Sequence, residues 1–253
     1  MNVIKPTWPA PGAIHALVTT RQGGVSRSPY DTLNLGDHVG DDPARVIANR
    51  QVLRKHLPAE PIWLKQTHSI QVSTPDSRSQ FSSRPYEADA AVTNISDEVL
   101  AIMTADCLPV LLSNGDGTVI GAAHAGWRGL CDGVLENTVS EMLKLSHQSS
   151  AANFIAWMGP AIGPKSFEVG EDVVERFQEC GLHDLQNCFL PIPNKSGKYL
   201  ADLYQLARDR LKRAGVVSTF SGDLCTVLDH EQFFSYRRDG VTGRFASLIW
   251  ISP

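Results

Sequence analysis

Apolar positions recur along this chain with two different periods. Spacing near 3.6 residues predicts four helices. The first follows Asp41-Asp42-Pro43, an N-cap with proline in the first turn, and its period aligns Val46, Ile47, Leu53 and Leu57 on one face. A second is predicted over residues 130–145, aligning Val134, Leu135, Met142 and Leu145. The third, over residues 171–180, opens with two acids and stops before Gly181. The fourth carries Leu200, Leu203, Tyr204, Ala207 and Leu211 and ends before Gly215.

Short apolar runs with strand character lie between these helices: IHALVTT from Ile14, IWLKQTHS from Ile62, ADAAVTN from Ala88, LAIMTADCLPVLLS from Leu100, TVIGAAHAGW from Thr118, FIAWMGP from Phe154 and ASLIWIS from Ala246. They outnumber the helices and cluster without regular βαβ alternation, which predicts an α+β fold with sheets covered on one side by helices. The polar stretch 73–85 is predicted to be a surface loop. No Gly/Ser linker divides the 253 residues, so one domain is expected, from residue 1 to residue 253.

Composition narrows the partners. With 23 Lys and Arg against 27 Asp and Glu, the net charge of −4 argues against a basic nucleic-acid groove or a polybasic membrane surface. The start MNVIKPTWPAPG lacks the apolar core of a secretory leader, and no apolar run approaches the ~18 residues of a membrane span. Five scattered cysteines without a C-x-x-C read as reduced thiols of a cytoplasmic protein.

Three predicted strand ends carry a good metal ligand: His68 closes WLKQTHS, Cys107 interrupts MTADCLPVLL, and His124 sits in AAHAGWRG. One cysteine and two histidines suit a catalytic Zn2+, because three protein ligands leave a fourth position open. Separations of 39 and 17 residues are unlike the tight pairs of zinc fingers, and core histidines with a buried thiol would give the same spacing. The neighbours favour a site. Asp106 places a charge in an otherwise apolar run, and small residues flank His124.

Arginines recur in glycine-rich settings, with Arg21 in TTRQGGVS, Arg128 in AGWRG, and Arg237 and Arg238 in FFSYRRDGVTGR. Guanidinium groups presented by tight turns suit bidentate capture of phosphate or carboxylate. No Walker A or G-x-G-x-x-G sequence is present, which argues against a nucleoside triphosphate or dinucleotide cofactor.

The strings TRQGGVS, LNLGDHVGDD, WLKQTHS, EADAAVTN, MTADCLPVLL, AAHAGWRGL, MGPAIGPKSFEVG, KYLADLYQLAR and FFSYRRDGVTGR, spread over nearly the whole chain, closely resemble the bacterial YfiH-like family, also called the polyphenol oxidase or laccase-domain family. The resemblance implies zinc at His68, Cys107 and His124, one ion per chain, and an α+β domain of packed mixed sheets. It also implies phosphorolysis of adenosine, inosine, guanosine and S-methyl-5′-thioadenosine, with deamination of adenosine. A copper-dependent oxidase activity, and action on a UDP-MurNAc peptidoglycan precursor, are further activities linked to the family.

The residues bear on these activities. The chain has no His-x-His pair, unlike a four-copper oxidase, although Cu2+ could replace zinc in a His2Cys site. Asp106 and Glu168 are candidate acid/base groups for deamination, with Gln66 and His38 as further polar candidates. Arg21, Gln66, Arg128 and Arg237 are candidate substrate or phosphate binders for phosphorolysis. The expected partners are a purine nucleoside and phosphate. A different chemistry, with Cys107 as a nucleophile activated by His124, remains open.

Overall fold

The computed structural model describes residues 1–80, 85–182 and 185–253. Two mixed sheets dominate it. The first has five strands in the order Val3–Ile4, Ile14–Thr19, Phe245–Ile251, Val99–Thr104 and Pro61–Ile62, antiparallel except at the last pair. The second has six, in the order Ser218–Ser221, Ile155–Met158, Leu108–Ser113, Ile120–Ala125, Ala90–Thr93 and Val72–Ser73, with parallel pairs at both edges.

Alternation along the strands explains how these sheets stack. Leu100 and Ile102 of the first sheet share one buried cluster with Leu111, Ile120 and Trp157 of the second, so the two sheets pack face to face. Their neighbours point the other way. Ala101 and Met103 join Leu17, Leu248 and Leu53 of the helix Pro43–Arg54, whereas Val110 and Leu112 join Val134, Val139 and Leu206 from the opposite helical layer. Strands covered on both faces read as continuous apolar runs, which is why these segments stood out. The fold is α+β, as expected.

Several elements differ from the sequence expectation. Ile47 is exposed, and the inward position of the first helix is taken by Asn49, whose amide donates to the carbonyls of Thr32 and Asn34 and to Ser26 Oγ. The helix predicted over 130–145 is two helices, Trp127–Asp132 and Val134–Ser146, broken at Gly133, whose φ of 104° continues neither. Leu200 belongs to the strand Lys198–Ala201 rather than the fourth helix, which begins at Leu203 behind the capping carboxylate of Asp202. Within 73–85, Pro75–Gln80 is a helix that buries Arg78 against Glu98, while residues 81–84 lie outside the described residues.

One correction positions the site. The run LAIMTADCLPVLLS is not one strand: Val99–Thr104 lies in the first sheet and Leu108–Ser113 in the second, and Ala105, Asp106 and Cys107 carry the chain between them. Asp106 has φ 93° at this crossover.

Candidate metal centre

The crossover brings Cys107 to the ends of two other segments. His124 lies near the end of the strand Ile120–Ala125, paired directly with Pro109, and His68 lies in the turn after Leu64–Lys65. The ligand atoms of His68, Cys107 and His124 all lie within 4.8 Å of one another. Cys107 Sγ is 3.7 Å from His68 Nε2, and the two imidazole rings meet edge to face with centroids 4.8 Å apart.

Zinc fits this donor set. Tetrahedral coordination with ordinary Zn–S and Zn–N bonds spans an S···N edge of about 3.6 Å, close to the separation seen. The donors grade from the buried His124 through half-buried Cys107 to exposed His68, so the centre opens on the His68 side. Gly126 faces it closely, since a Cβ there would meet Cys107 Sγ and His68 Cδ2, each at 3.0 Å.

Asp89 organises the centre, although the sequence reading did not single it out. The carboxylate is fully buried and accepts from the backbone N–H groups of Thr67, His68 and Ser69, from the Ser69 hydroxyl, and from His124 Nδ1 at 2.8 Å. Its bond to Nδ1 leaves His124 Nε2 as the nitrogen available to a metal. The backbone donors hold the turn that presents His68, which sits at φ 62°, a conformation costing a non-glycine residue about 1–3 kcal/mol. Burial opposes ionisation of Asp89, but the bonds from His124 and Ser69 outweigh it and hold its carboxyl far below the ordinary range. A signal for it existed, because an acid in the alanine run EADAAVTN is as anomalous as Asp106.

Cys107 and His124 set each other's charge. Burial alone would raise the Cys107 thiol, yet the His124 imidazolium and hydrogen bonds from His124 and His68 bring it down to about 6. Burial alone would lower His124, but the Cys107 thiolate and the Asp89 carboxylate raise it to about 9.

A cavity of about 470 Å3 opens onto the three ligands. It is lined by Trp127, Phe167 and Tyr236 and by Arg128, Arg237 and Arg244, the last donating through Nη1 to the carbonyls of Thr242 and Gly243. Arg128 lies over the Trp127 ring and Arg237 over the Phe167 ring. Volume alone would not select this cavity, since one of about 500 Å3 beside Arg50 and Trp63 holds none of the three ligands.

The other sequence candidates fall in different places. Gln66 lines the cavity, but its amide is engaged at both ends by the backbone of Met103, fixing the approach to His68. Asp106 gives one oxygen to Thr226 Oγ1 and the other to the backbone N–H of Arg237, both at 2.6 Å. Glu168 is ion-paired with Lys195 outside the cavity lining, while its backbone carbonyl accepts from Arg237 Nη1. His38 reaches the cavity wall beside Arg244. Arg21 does not reach it: the side chain bonds the carbonyls of Asp31 and His230 and lines a separate cavity. Arg238 is spent on the carbonyls of Thr226, Val227 and Phe233. Trp127, Phe167, Tyr236 and Arg244 line the cavity without having been candidates; Trp127 stands within HAGW and Tyr236 within SYRR, whereas Phe167 in KSFEVG and Arg244 in GVTGR lie apart from any candidate ligand in the sequence.

The family model for multi-copper polyphenol oxidoreductase laccase matches residues 15–252. The chain belongs to this family. Among curated relatives, this laccase-family chain is 49% identical over 252 residues to "Purine nucleoside phosphorylase" from Haemophilus influenzae, covering 99% of each. It is also 49% identical over 255 residues to "Purine nucleoside phosphorylase YfiH" from Escherichia coli K12, again with 99% of each covered. Among solved structures, a Neisseria meningitidis protein matches with TM-score 0.91 and 45% identity over 100% of both chains. YlmD from Geobacillus stearothermophilus matches with TM-score 0.86 and 28% identity over 97% of this chain and 94% of its own.

Proposed function

We propose that this chain is a zinc-dependent purine nucleoside phosphorylase working in the cavity around His68, Cys107 and His124. The observation that carries the reading is the convergence on one cavity of a three-donor metal set, three arginines and three aromatic rings. The names of relatives at 49% identity support it.

Phosphorolysis joins a phosphate oxygen to C1′ of the ribose while the glycosidic C–N bond breaks, its electron pair leaving with the purine. The residues divide this work. Arg128, Arg237 and Arg244 hold the phosphate and offset the charge that moves as the bond breaks. Trp127, Phe167 and Tyr236 offer faces on which a purine stacks. Asp106 and Glu168, instead of transferring protons, serve as positioning residues for Arg237 through its backbone N–H and its guanidinium. His68, Cys107 and His124 would hold the zinc, which when bound would supply a Lewis acid in the cavity.

The proposed substrates are adenosine, inosine, guanosine and S-methyl-5′-thioadenosine, with deamination of adenosine as a second activity of the same cavity. Copper is the alternative occupant, since a His2Cys set accepts it. The other group of three potential ligands among the described residues, Cys131, Asp132 and Cys180, contains no histidine, which does not favour a trinuclear copper cluster. Neither the precursor-editing reading nor the Cys107–His124 hydrolase reading gains support from the relatives' names. A cytoplasmic setting fits five scattered cysteines without a C-x-x-C, and among the described residues no helix is long and apolar enough to cross a membrane.

Metal analysis of purified protein alongside chromatographic detection of hypoxanthine and ribose 1-phosphate from inosine tests the proposal. About one zinc per chain is expected, with metal and phosphorolysis lost together in Cys107→Ala. Full inosine phosphorolysis by metal-free wild type would overturn the proposal.

A further inference from the structure

Away from the metal centre, two cysteines on different helices meet. Cys131 lies in the last turn of Trp127–Asp132 and is almost fully buried, while Cys180 caps the helix Glu171–Glu179 and is half-exposed. Their sulfurs are 3.0 Å apart, inside the separation of about 3.5–4.0 Å that suits even the smaller non-bonded carbon atoms. Each cysteine is followed within two residues by a glycine at positive φ, Gly133 at 104° and Gly181 at 78°, so both sit at helix ends where the backbone turns away. Forming a disulfide asks the sulfurs to close by about 1 Å.

We propose that Cys131 and Cys180 are a reversible dithiol–disulfide pair, oxidised by exchange with a low-molecular-weight disulfide of the glutathione type, and that the bond fastens the helix Trp127–Asp132 to the helix Glu171–Glu179. This rests on the cysteine geometry alone and is independent of the phosphorylase reading.

The surroundings favour a disulfide over a second metal site. Asp132, the carboxylate grouped with these two sulfurs, is already paired with Arg176 at 2.9 Å. Burial, followed by the neighbouring Cys180 sulfur, pushes the Cys131 thiol up to about 12, which opposes the thiolate a metal requires. Exposure orders the exchange, because Cys180 is within reach of solvent and Cys131 is buried. Cys180 loses its proton to solvent and attacks the small disulfide, whose S–S bond breaks and releases one thiolate, leaving a mixed disulfide on Cys180. With the Cys180 sulfur neutral, Cys131 gives up its proton, attacks that sulfur and expels the second small thiolate. Two protein thiols are oxidised, one small disulfide is reduced to two thiols, and the released protons balance the thiolates.

The bond would tie two walls of the cavity together. The first helix opens with Trp127 and Arg128, and the second follows the strand Glu168–Gly170, which Phe167 precedes.

The test is to incubate the full-length, metal-loaded protein with excess glutathione disulfide, quench in acid, alkylate the remaining thiols and map tryptic peptides by mass spectrometry. The expected product is a Cys131–Cys180 linked peptide lighter than its parts by two hydrogens and released by dithiothreitol. Cys131→Ser should instead trap glutathione on Cys180, and Cys180→Ser should abolish the link. The tryptic peptide that carries Cys180 also carries Cys188, so the link must persist in Cys188→Ser. Stable glutathione on wild-type Cys180 without the link, or a link that disappears in Cys188→Ser, overturns the proposal.

Discussion

Asp89 Oδ1 accepts a hydrogen bond from His124 Nδ1 at 2.8 Å, and that single contact fixes both the tautomer and the heading of a candidate metal-binding ring. The same carboxylate receives the backbone N–H groups of the turn that presents His68, so one buried acid sets two of the three ligands. Asp89→Asn replaces an acceptor by an amide donor facing these N–H groups. A stability loss of about 1–3 kcal/mol is expected from the unmet donors. Zinc affinity should fall about 10–100-fold. Competition with a chromophoric chelator measures the affinity and denaturant unfolding measures the stability; unchanged affinity in a folded variant would contradict the role given to Asp89.

Metal uptake should depend on pH with a slope that the ligand charges set. Binding needs the Cys107 thiolate and a neutral His124. In the metal-free protein the thiol is held down to about 6 and the imidazolium up to about 9, so between these values the thiolate is already in place and the His124 proton must leave. Apparent affinity should therefore rise about tenfold per pH unit in this window. Below it, protonation of Cys107 adds a second proton to displace, and affinity should drop more steeply as pH falls. Chelator competition repeated from about pH 5 to pH 9 checks this, and a flat profile would mean that His124 is neutral before the metal arrives.

How much of this was legible in the sequence depends on which kind of information each residue carries. His68, Cys107 and His124 stood out because ligand-type side chains interrupt apolar or small-residue runs, and a buried donor is anomalous wherever it occurs. Asp89 obeys the same rule but was passed over. The apolar runs on either side of Cys107 marked strand correctly, yet periodicity cannot show that the chain changes sheets at Asp106, because both halves are buried on both faces. Ile47 and Asn49 show the limit of helical spacing: Asn49 wins the inward position through hydrogen bonds to a loop some 15 residues away in sequence, which no local pattern reports. Glycine-rich context grouped Arg21 and Arg238 with Arg128 and Arg237, whereas tertiary contacts decide which guanidinium groups face the cavity.

Gly126→Ala should disturb the metal centre without straining the backbone. At φ −61° and ψ 156° any residue is tolerated, but the added Cβ would lie 3.0 Å from both Cys107 Sγ and His68 Cδ2. One ligand must shift. Zinc affinity is expected to fall about 10–100-fold, as for other losses of ligand orientation. Overpacking should cost about 1–3 kcal/mol. Metal content after dialysis, compared with the melting transition of the metal-free protein, separates the two effects; full retention of zinc would show that the ligands can adjust around the new methyl group.

The division of labour among the arginines can be read from phosphate kinetics. The Arg128 guanidinium has no hydrogen-bonded partner among the described residues, and Arg237 bonds only one carbonyl through its guanidinium, so both retain donors for an anion at the cavity wall. Arg21 is committed to the carbonyls of Asp31 and His230 elsewhere. A hydrogen bond to a charged group contributes about 1.5–3 kcal/mol, so Arg128→Ala and Arg237→Ala should each raise the KM for phosphate roughly 10–100-fold. The KM for inosine should change less, because stacking on Trp127, Phe167 and Tyr236 is retained. Arg21→Ala should leave the phosphate KM within about twofold of wild type, any loss appearing as stability instead. If Arg21→Ala raises the phosphate KM as much as the cavity arginines do, the anion does not bind where those two side chains place it.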